Sequence, residues 1–268
     1  MKFTIIGSGN VATHIALQLR SIGEEIAEIF SRNADNAGML AQKVGCRAVT
    51  DIEEISADSD VYLFAVKDDA LEDVAKKTEK SIVSKEQLSG IVRQRVFIHT
   101  AGSVPMDVFS GIARHYGVLY PMQTFSKSRR VDFSHVPCFI EAADDYTLLI
   151  IKGLANRLSE TVQTVDSEKR RRLHLAAVFA CNLTNHCYRL AEKALEGTDV
   201  DFRLFLPLIE ETARKVTEMS PRDAQTGPMV RYDTKIMESQ LSLIPDERTR
   251  EIYRLMAESV HEDSCLVV

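Results

Sequence analysis

Short apolar runs alternate with segments of helical period through the first part of the chain. The strand-like runs are 2–6, 25–30, 60–66, 96–99, 118–120, 137–141 and 161–165. Helix-like segments 11–22, 36–44, 71–80, 105–115 and 146–159 lie between most of them. Strands this short and this continuously apolar read as parallel strands covered on both faces. They predict a doubly wound α/β domain. The pattern changes after Asp166. From there the chain is helix-like: a long segment over 167–195 with Ser167 at its N-cap and Gly197 past its end, then 202–219 stopped by Ser220-Pro221, a third from Asp233 to Leu243, and a fourth over 246–260. These stops follow the usual rules for helix ends. The expected organisation is an α/β doubly wound parallel-sheet domain, 1–166, followed by an all-α domain, 167–268, with no flexible linker between them.

The junction of the first strand and first helix carries candidate chemistry. Ile5-Ile6-Gly7-Ser8-Gly9-Asn10-Val11-Ala12 is a G-x-G-x-x-A motif. Gly7 suits the tight turn, Gly9 lets a pyrophosphate approach the backbone, and Ala12 allows close helix–strand packing. The helix N-terminus adds free N–H groups and a positive dipole. A lone glycine motif is weak, but this one has its full strand–turn–helix–strand setting. Gly7, Ser8, Gly9, Asn10 and Val11 are therefore the expected phosphate cradle of a Rossmann unit.

The second strand chooses the cofactor. A site for NAD ends this strand in Asp or Glu, which bonds the ribose 2′-hydroxyl. Here it ends in Ser31-Arg32-Asn33, with Glu28 too early to serve. A hydroxyl and a guanidinium suit a 2′-phosphate, so NADP is the expected cofactor. Ligands of open α/β sheets sit beyond the carboxyl ends of the strands. Val66, Lys67 and Asp68 stand at the end of the third apolar run, and Thr100, Ala101 and Gly102 at the end of the fourth, so both loops are expected to line the cofactor. His99 stands at the same end and is a candidate substrate ligand or proton donor. Tyr120-Pro121-Met122-Gln123-Thr124-Phe125 ends the fifth.

Composition narrows the class. The 268 residues carry a net charge of −6, which argues against a broad nucleic-acid surface. No apolar run is long enough to span a membrane, and the opening segment turns polar too early for a secretory leader. The five cysteines include no Cys-x-x-Cys pair. A disulfide framework is not expected, a cytoplasmic setting fits, and no metal site is expected.

With these residues in hand, a resemblance emerges. The first half resembles the Rossmann domain of the pyrroline-5-carboxylate reductase and 6-phosphogluconate dehydrogenase superfamily. The whole chain resembles a bacterial family of NADP oxidoreductases of unknown substrate. It does so through 7–12, Val66-Lys67-Asp68-Asp69-Ala70, His99-Thr100-Ala101-Gly102-Ser103, 120–125, 173–182 and Thr226-Gly227-Pro228-Met229-Val230-Arg231-Tyr232-Asp233. The resemblance implies a Rossmann domain followed by a helical domain that dimerises, with the active site in the cleft between. In related hydroxyacid dehydrogenases a catalytic lysine precedes an asparagine on the long helix. Ala176-Ala177-Val178-Phe179 has none, which favours imine-reductase-like chemistry over a hydroxyacid mechanism.

On a continuous α-helix, Asn182, His186 and Arg189 share one stripe, with Asn185 at its edge. Such polar groups face either solvent or a polar cavity. His174, Asn182 and His186 are expected to line the substrate end of the site, with His99 opposite. The basic run Lys169-Arg170-Arg171-Arg172 is either a solvated first turn or a lure for an anionic substrate. The leading expectation is a homodimeric, NADP(H)-dependent oxidoreductase acting on a small carbonyl or imine. Alternatives are an NADP(H)-binding sensor or structural protein without turnover, and a deazaflavin-dependent NADP reductase, for which the helical domain is large.

Overall fold

The computed structural model describes residues 1–265. It divides into two units, one up to Phe179 and one from Ala180 onward. The strands of the first unit are β1 (Lys2–Ile6), β2 (Glu25–Phe30), β3 (Arg47–Val49), β4 (Val61–Phe64), β5 (Val96–His99), β6 (His115–Pro121), β7 (Cys138–Ala142) and β8 (Val162–Thr164). Its helices are α1 (Asn10–Ser21), α2 (Ala34–Val44), α3 (Leu71–Ser89), α4 (Asp145–Leu158) and α5 (Ser167–Ala177). The strands form one sheet in the order β3-β2-β1-β4-β5-β6-β7-β8. The first six run parallel, and the expected doubly wound α/β domain is present.

Period-two alternation sorts the strand side chains. Phe3, Ile5, Leu63 and Ile98 pack under α1, α2 and α4 with Ile15, Leu40 and Leu154. Ile6, Tyr62, Phe64 and Phe97 pack on the opposite face with Leu71, Ile82 and Phe109. A strand buried on both faces needs apolar residues at nearly every position, which is the pattern in the sequence.

Several expectations need correction. Segment 105–115 is not a helix: only a 3-10 turn forms, Met106–Phe109. Phe109 is pinned in the core and Gly111 turns the chain at φ 74°, a left-handed value that ends any helix there. β7 runs antiparallel to β6, so the sheet is not wholly parallel. Residues 122–137 hold no crossover helix, and a return strand needs none. α3 runs on to Ser89, well past residue 80. Asp166, not Ser167, is the N-cap of α5; its carboxylate accepts from the Lys169 N–H at 2.7 Å.

The first unit also extends past the change of pattern at Asp166, because α5 is fastened to the sheet. The wholly buried Arg170 pairs its guanidinium with Glu141 of β7 and donates to the Val104 carbonyl at 2.5 Å. Ser167 donates to the same carboxylate through N–H (2.9 Å) and hydroxyl (2.8 Å).

After α5 the chain winds into a π-helical segment, Val178–Leu183. The one continuous helix expected over 167–195 is therefore interrupted. The second unit continues with α6 (Thr184–Ala194), α7 (Leu206–Glu218), α8 (Pro221–Ala224), α9 (Thr234–Ser242) and α10 (Glu247–Cys265). Among its described residues only Ala257 is buried. No helix of the described residues is long and apolar enough to cross a membrane.

Candidate functional site

The glycine loop joins β1 to α1. Gly7 sits at φ 123°, and a Cβ there would meet the Ala65 carbonyl oxygen at 2.2 Å. It is glycine because the end of β4 passes against it. Gly9 differs. Its φ is −75° and no protein atom lies within 4 Å of where its Cβ would be. Neither conformation nor a protein neighbour requires glycine there. A Cβ would instead crowd the N-terminus of α1, where a pyrophosphate binds in such units. Gly9 is also the N-cap and has no side chain to cap the helix. The first-turn N–H groups of Asn10 and Val11 therefore remain for an anion. This arrangement fits a dinucleotide.

Ser8 and Ser31 tie the loop to the end of β2: the Ser8 hydroxyl donates to Ser31 Oγ at 2.8 Å. Ser31 Oγ also accepts from the Asn33 N–H at 3.3 Å. With both interactions taken as acceptor, the Ser31 proton is free to be donated outward. Asn33 is spent structurally, as its side chain caps α2 by accepting from the Asn36 N–H at 2.9 Å. Arg32 is exposed and, among the described residues, forms no ion pair. Glu28 is buried and accepts from the Ser56 N–H at 2.7 Å and the Thr4 hydroxyl at 3.2 Å. It is a structural carboxylate, and no acid stands at the tip of β2.

The loops after β4 and β5 lie side by side. Val66 and Lys67 follow β4, and Asp68 begins a 3-10 turn. Asp68 accepts a hydrogen bond from the Ser103 hydroxyl. Thr100 is buried, and its N–H donates to the Phe64 carbonyl at 3.1 Å. Ala101 and the buried Gly102 follow. A Cβ on Gly102 would meet His174 Nδ1 at 2.6 Å. His174 thus packs directly on the end of β5, and its Nδ1 is 3.0 Å from the Tyr120 hydroxyl at the end of β6. Tyr120 was legible only as part of a strand end. Nothing in the sequence pairs it with a residue 54 positions later.

His99 points the other way. Alternation along β5 puts it on the same face as Phe97, in the core, with its ring 5.4 Å from Phe109. It is wholly buried, its Nδ1 accepts from the Ala101 N–H at 3.2 Å, and its Nε2 has no hydrogen-bond partner among the described residues. Burial, reinforced by the nearby Arg170 charge, holds its pKa down at about 3. The ring is neutral and screened from the strand ends, so the expectation of a substrate-facing His99 does not match its placement.

Asn182 and His186 belong to the second unit and are exposed, Asn182 within the π-helical segment and His186 on α6. The wider π turn also breaks the α-helical register linking them to His174. Arg189, the third member of that stripe, pairs with Glu192 at 2.6 Å. The basic run is mostly neutralised within the chain: Lys169 lies 3.8 Å from Asp166, Arg170 pairs with Glu141 and Arg172 with Glu168 at 2.8 Å. That pairing leaves little of it to attract an anionic substrate.

The comparisons with known proteins agree with this geometry. A family described as NADP oxidoreductase coenzyme F420-dependent matches residues 2–88, and DUF2520, a domain of unknown function, matches residues 136–260. A crystal structure from Bacteroides fragilis described as a "putative NADP oxidoreductase" is 42% identical, with 97% of this chain and 98% of that one covered and a TM-score of 0.90. A Thermotoga maritima protein is 21% identical over 98% of this chain and 99% of its own, with a TM-score of 0.76. An imine reductase from Myxococcus stipitatus, solved with NADP+, shares the fold at 14% identity, covering 98% and 92% of the two chains with a TM-score of 0.63. No curated protein matches. The extent and identity of the first of these matches place the chain in the NADP oxidoreductase family that joins a Rossmann domain to a DUF2520 region.

Proposed function

We propose that the protein is an NADPH-dependent reductase of a small carbonyl or imine, with His174 and Tyr120 as its proton-delivering pair. The observation that carries the reading is His174 seated on Gly102 and bonded to Tyr120 at the ends of β5 and β6. The glycine loop and the Ser31–Arg32 tip would hold the cofactor, with Val66, Lys67, Asp68, Thr100 and Ala101 beneath it. When bound, NADPH supplies the hydride; the chain has to orient the substrate and supply the proton. Nδ1 of His174 is engaged by Tyr120, which leaves Nε2 to face a substrate oxygen or nitrogen. A histidine is suited to that transfer near neutral pH. Imine and reductase chemistry in solved proteins of this fold supports the substrate class, as does the absence of a lysine in 176–179.

The test is consumption of NADPH, read at its nicotinamide absorbance, against a panel of cyclic imines, 2-oxo acids and small ketones. Turnover by the native protein, abolished in His174→Gln and reduced at least about tenfold in Tyr120→Phe with NADPH affinity retained, is the expected result. Full activity in His174→Gln would remove the proton-donor role. NADPH binding with no turnover of any compound would favour the sensor reading. We also infer that two copies pair through the helical unit, because that unit has almost no buried core of its own.

A further inference from the structure

The segment between β6 and β7 has no part in the reading above, yet it is held firmly. It carries Phe125-Ser126-Lys127-Ser128-Arg129-Arg130 across the outer face of α1. His14 of α1 bonds the Ser126 carbonyl through Nε2 at 2.9 Å, and its ring lies 4.9 Å from that of Phe125. Phe125 stacks in turn on the buried Phe133 at 5.9 Å. So anchored, the strap reaches the first turn of α2, where Lys127 Nζ donates to Asn36 Oδ1 at 3.3 Å. The Asn36 N–H donates in turn to Asn33 Oδ1 at 2.9 Å, so two hydrogen bonds connect Lys127 to the residue that follows the Ser31–Arg32 tip.

A lysine ammonium has three donors and full charge, and a neutral amide satisfies little of either. Among the described residues Lys127, Arg129 and Arg130 form no ion pair, and neither does Arg32. One carboxylate, Asp35, shares the turn with them. Such an excess of cations beside a helix N-terminus suits an anion. The pyrophosphate is accounted for at α1, where Gly9 lies. The turn that Lys127 reaches follows β2, where the ribose 2′ position is read in this fold.

We propose that the strap supplies the second half of 2′-phosphate recognition, with Lys127 pairing the phosphate from the side opposite Arg32. The inference rests on the reading that the site takes NADP(H). It makes cofactor preference depend on two segments, β2–α2 and the β6–β7 strap, that are distant in sequence and meet at the Lys127–Asn36 contact.

The experiment titrates the full-length protein with NADPH, NADH and 2′,5′-ADP by calorimetry, for the native chain and for Lys127→Ala, Lys127→Arg and Arg32→Ala. Lys127 is exposed, so these variants should melt with the native protein. Lys127→Ala should weaken NADPH and 2′,5′-ADP about tenfold or more while moving NADH less than about twofold, and Lys127→Arg should restore most of the loss. If Lys127→Ala weakens NADPH and NADH alike, or changes neither while Arg32→Ala is selective, the proposal is overturned and the cofactor reading stands. A native protein that binds NADPH no better than NADH would overturn that reading and the proposal with it.

Discussion

Gly7 and Gly9 are two residues apart and are glycine for different reasons, which mutation can separate. At Gly7 an added Cβ collides with a backbone carbonyl at a positive φ. Gly7→Ala should cost about 3 kcal/mol of stability, read by urea unfolding. At Gly9 an added Cβ meets no protein atom. Gly9→Ala should change stability by no more than about 1 kcal/mol, since the restricted unfolded chain and the poorer N-cap oppose one another, while NADPH affinity falls. A stable Gly7→Ala protein, or a Gly9→Ala protein with native affinity, would contradict this assignment. His99 has a different signature. Its pKa is held at about 3 against an ordinary 6.5. Between those values the unfolded chain binds a proton that the folded chain refuses, so stability must fall with acidification. The loss begins as pH drops below about 6.5 and continues towards 3. His99→Asn can keep the acceptor for the Ala101 N–H without the titration. Its stability should therefore vary less with pH over that window, by chemical denaturation at several pH values. Equal slopes in both proteins would show that other groups set the acid limb.

The elements differ in how openly the sequence declares them. β1, α1 and β2 were legible because a strict strand–glycine–helix–strand order admits one reading. α5 was legible as a helix but not as part of the first unit, since its tether is a buried side chain meeting a strand far away in sequence. The antiparallel β7 could have been read from the lack of any helical period between 120 and 137. The 105–115 segment misled because its apolar spacing serves a 3-10 turn that buries Phe109. The site divides the same way: motif residues at strand ends were visible, whereas Tyr120 and Lys127 gain their partners only through the fold. The tether of α5 is itself testable. Arg170 is fully buried against Glu141, and removing one partner strands the other. Arg170→Met should cost about 3 kcal/mol. It should also lower turnover through loosened seating of His174, one turn along the same helix. Arg170→Met with Glu141→Leu should recover part of the stability, because the stranded carboxylate is gone. An additive loss in the double variant would mean that the two do not act as a pair.

At the scale of the whole molecule the two units are unlike in how they are stabilised. The sheet unit has continuous apolar layers on both faces. The helical unit has none: among its described residues Ala257 alone is buried, while Leu204, Leu208, Leu243 and Leu255 are 72%, 61%, 80% and 61% exposed. On α7, Leu208 and Val216 fall towards one face at helical spacing, and both are exposed. A groove of about 620 Å³ runs among α6, α9 and α10, lined by Leu190, Met229, Ile252, Met256 and Val260. Helices that leave this much apolar surface bare are not stable alone, since most helical stability comes from packing an apolar face. A second copy offers the same bare stripes, and self-complementary patches are what two-fold dimers use. The expected interface is of the obligate class, burying roughly 2,000 Å² or more. Light scattering at micromolar concentration should therefore give about 60 kDa, twice the 30.0 kDa chain. Leu208→Glu discriminates further. On a solvent-facing helix the change would move stability by no more than about 0.5 kcal/mol. Beneath a partner it buries an unpaired charge, so the variant should dissociate and lose helical signal at low concentration while the sheet unit stays folded. A native protein that scatters as a 30.0 kDa monomer, with Leu208→Glu as stable as the parent, would show that the helical unit needs no second copy.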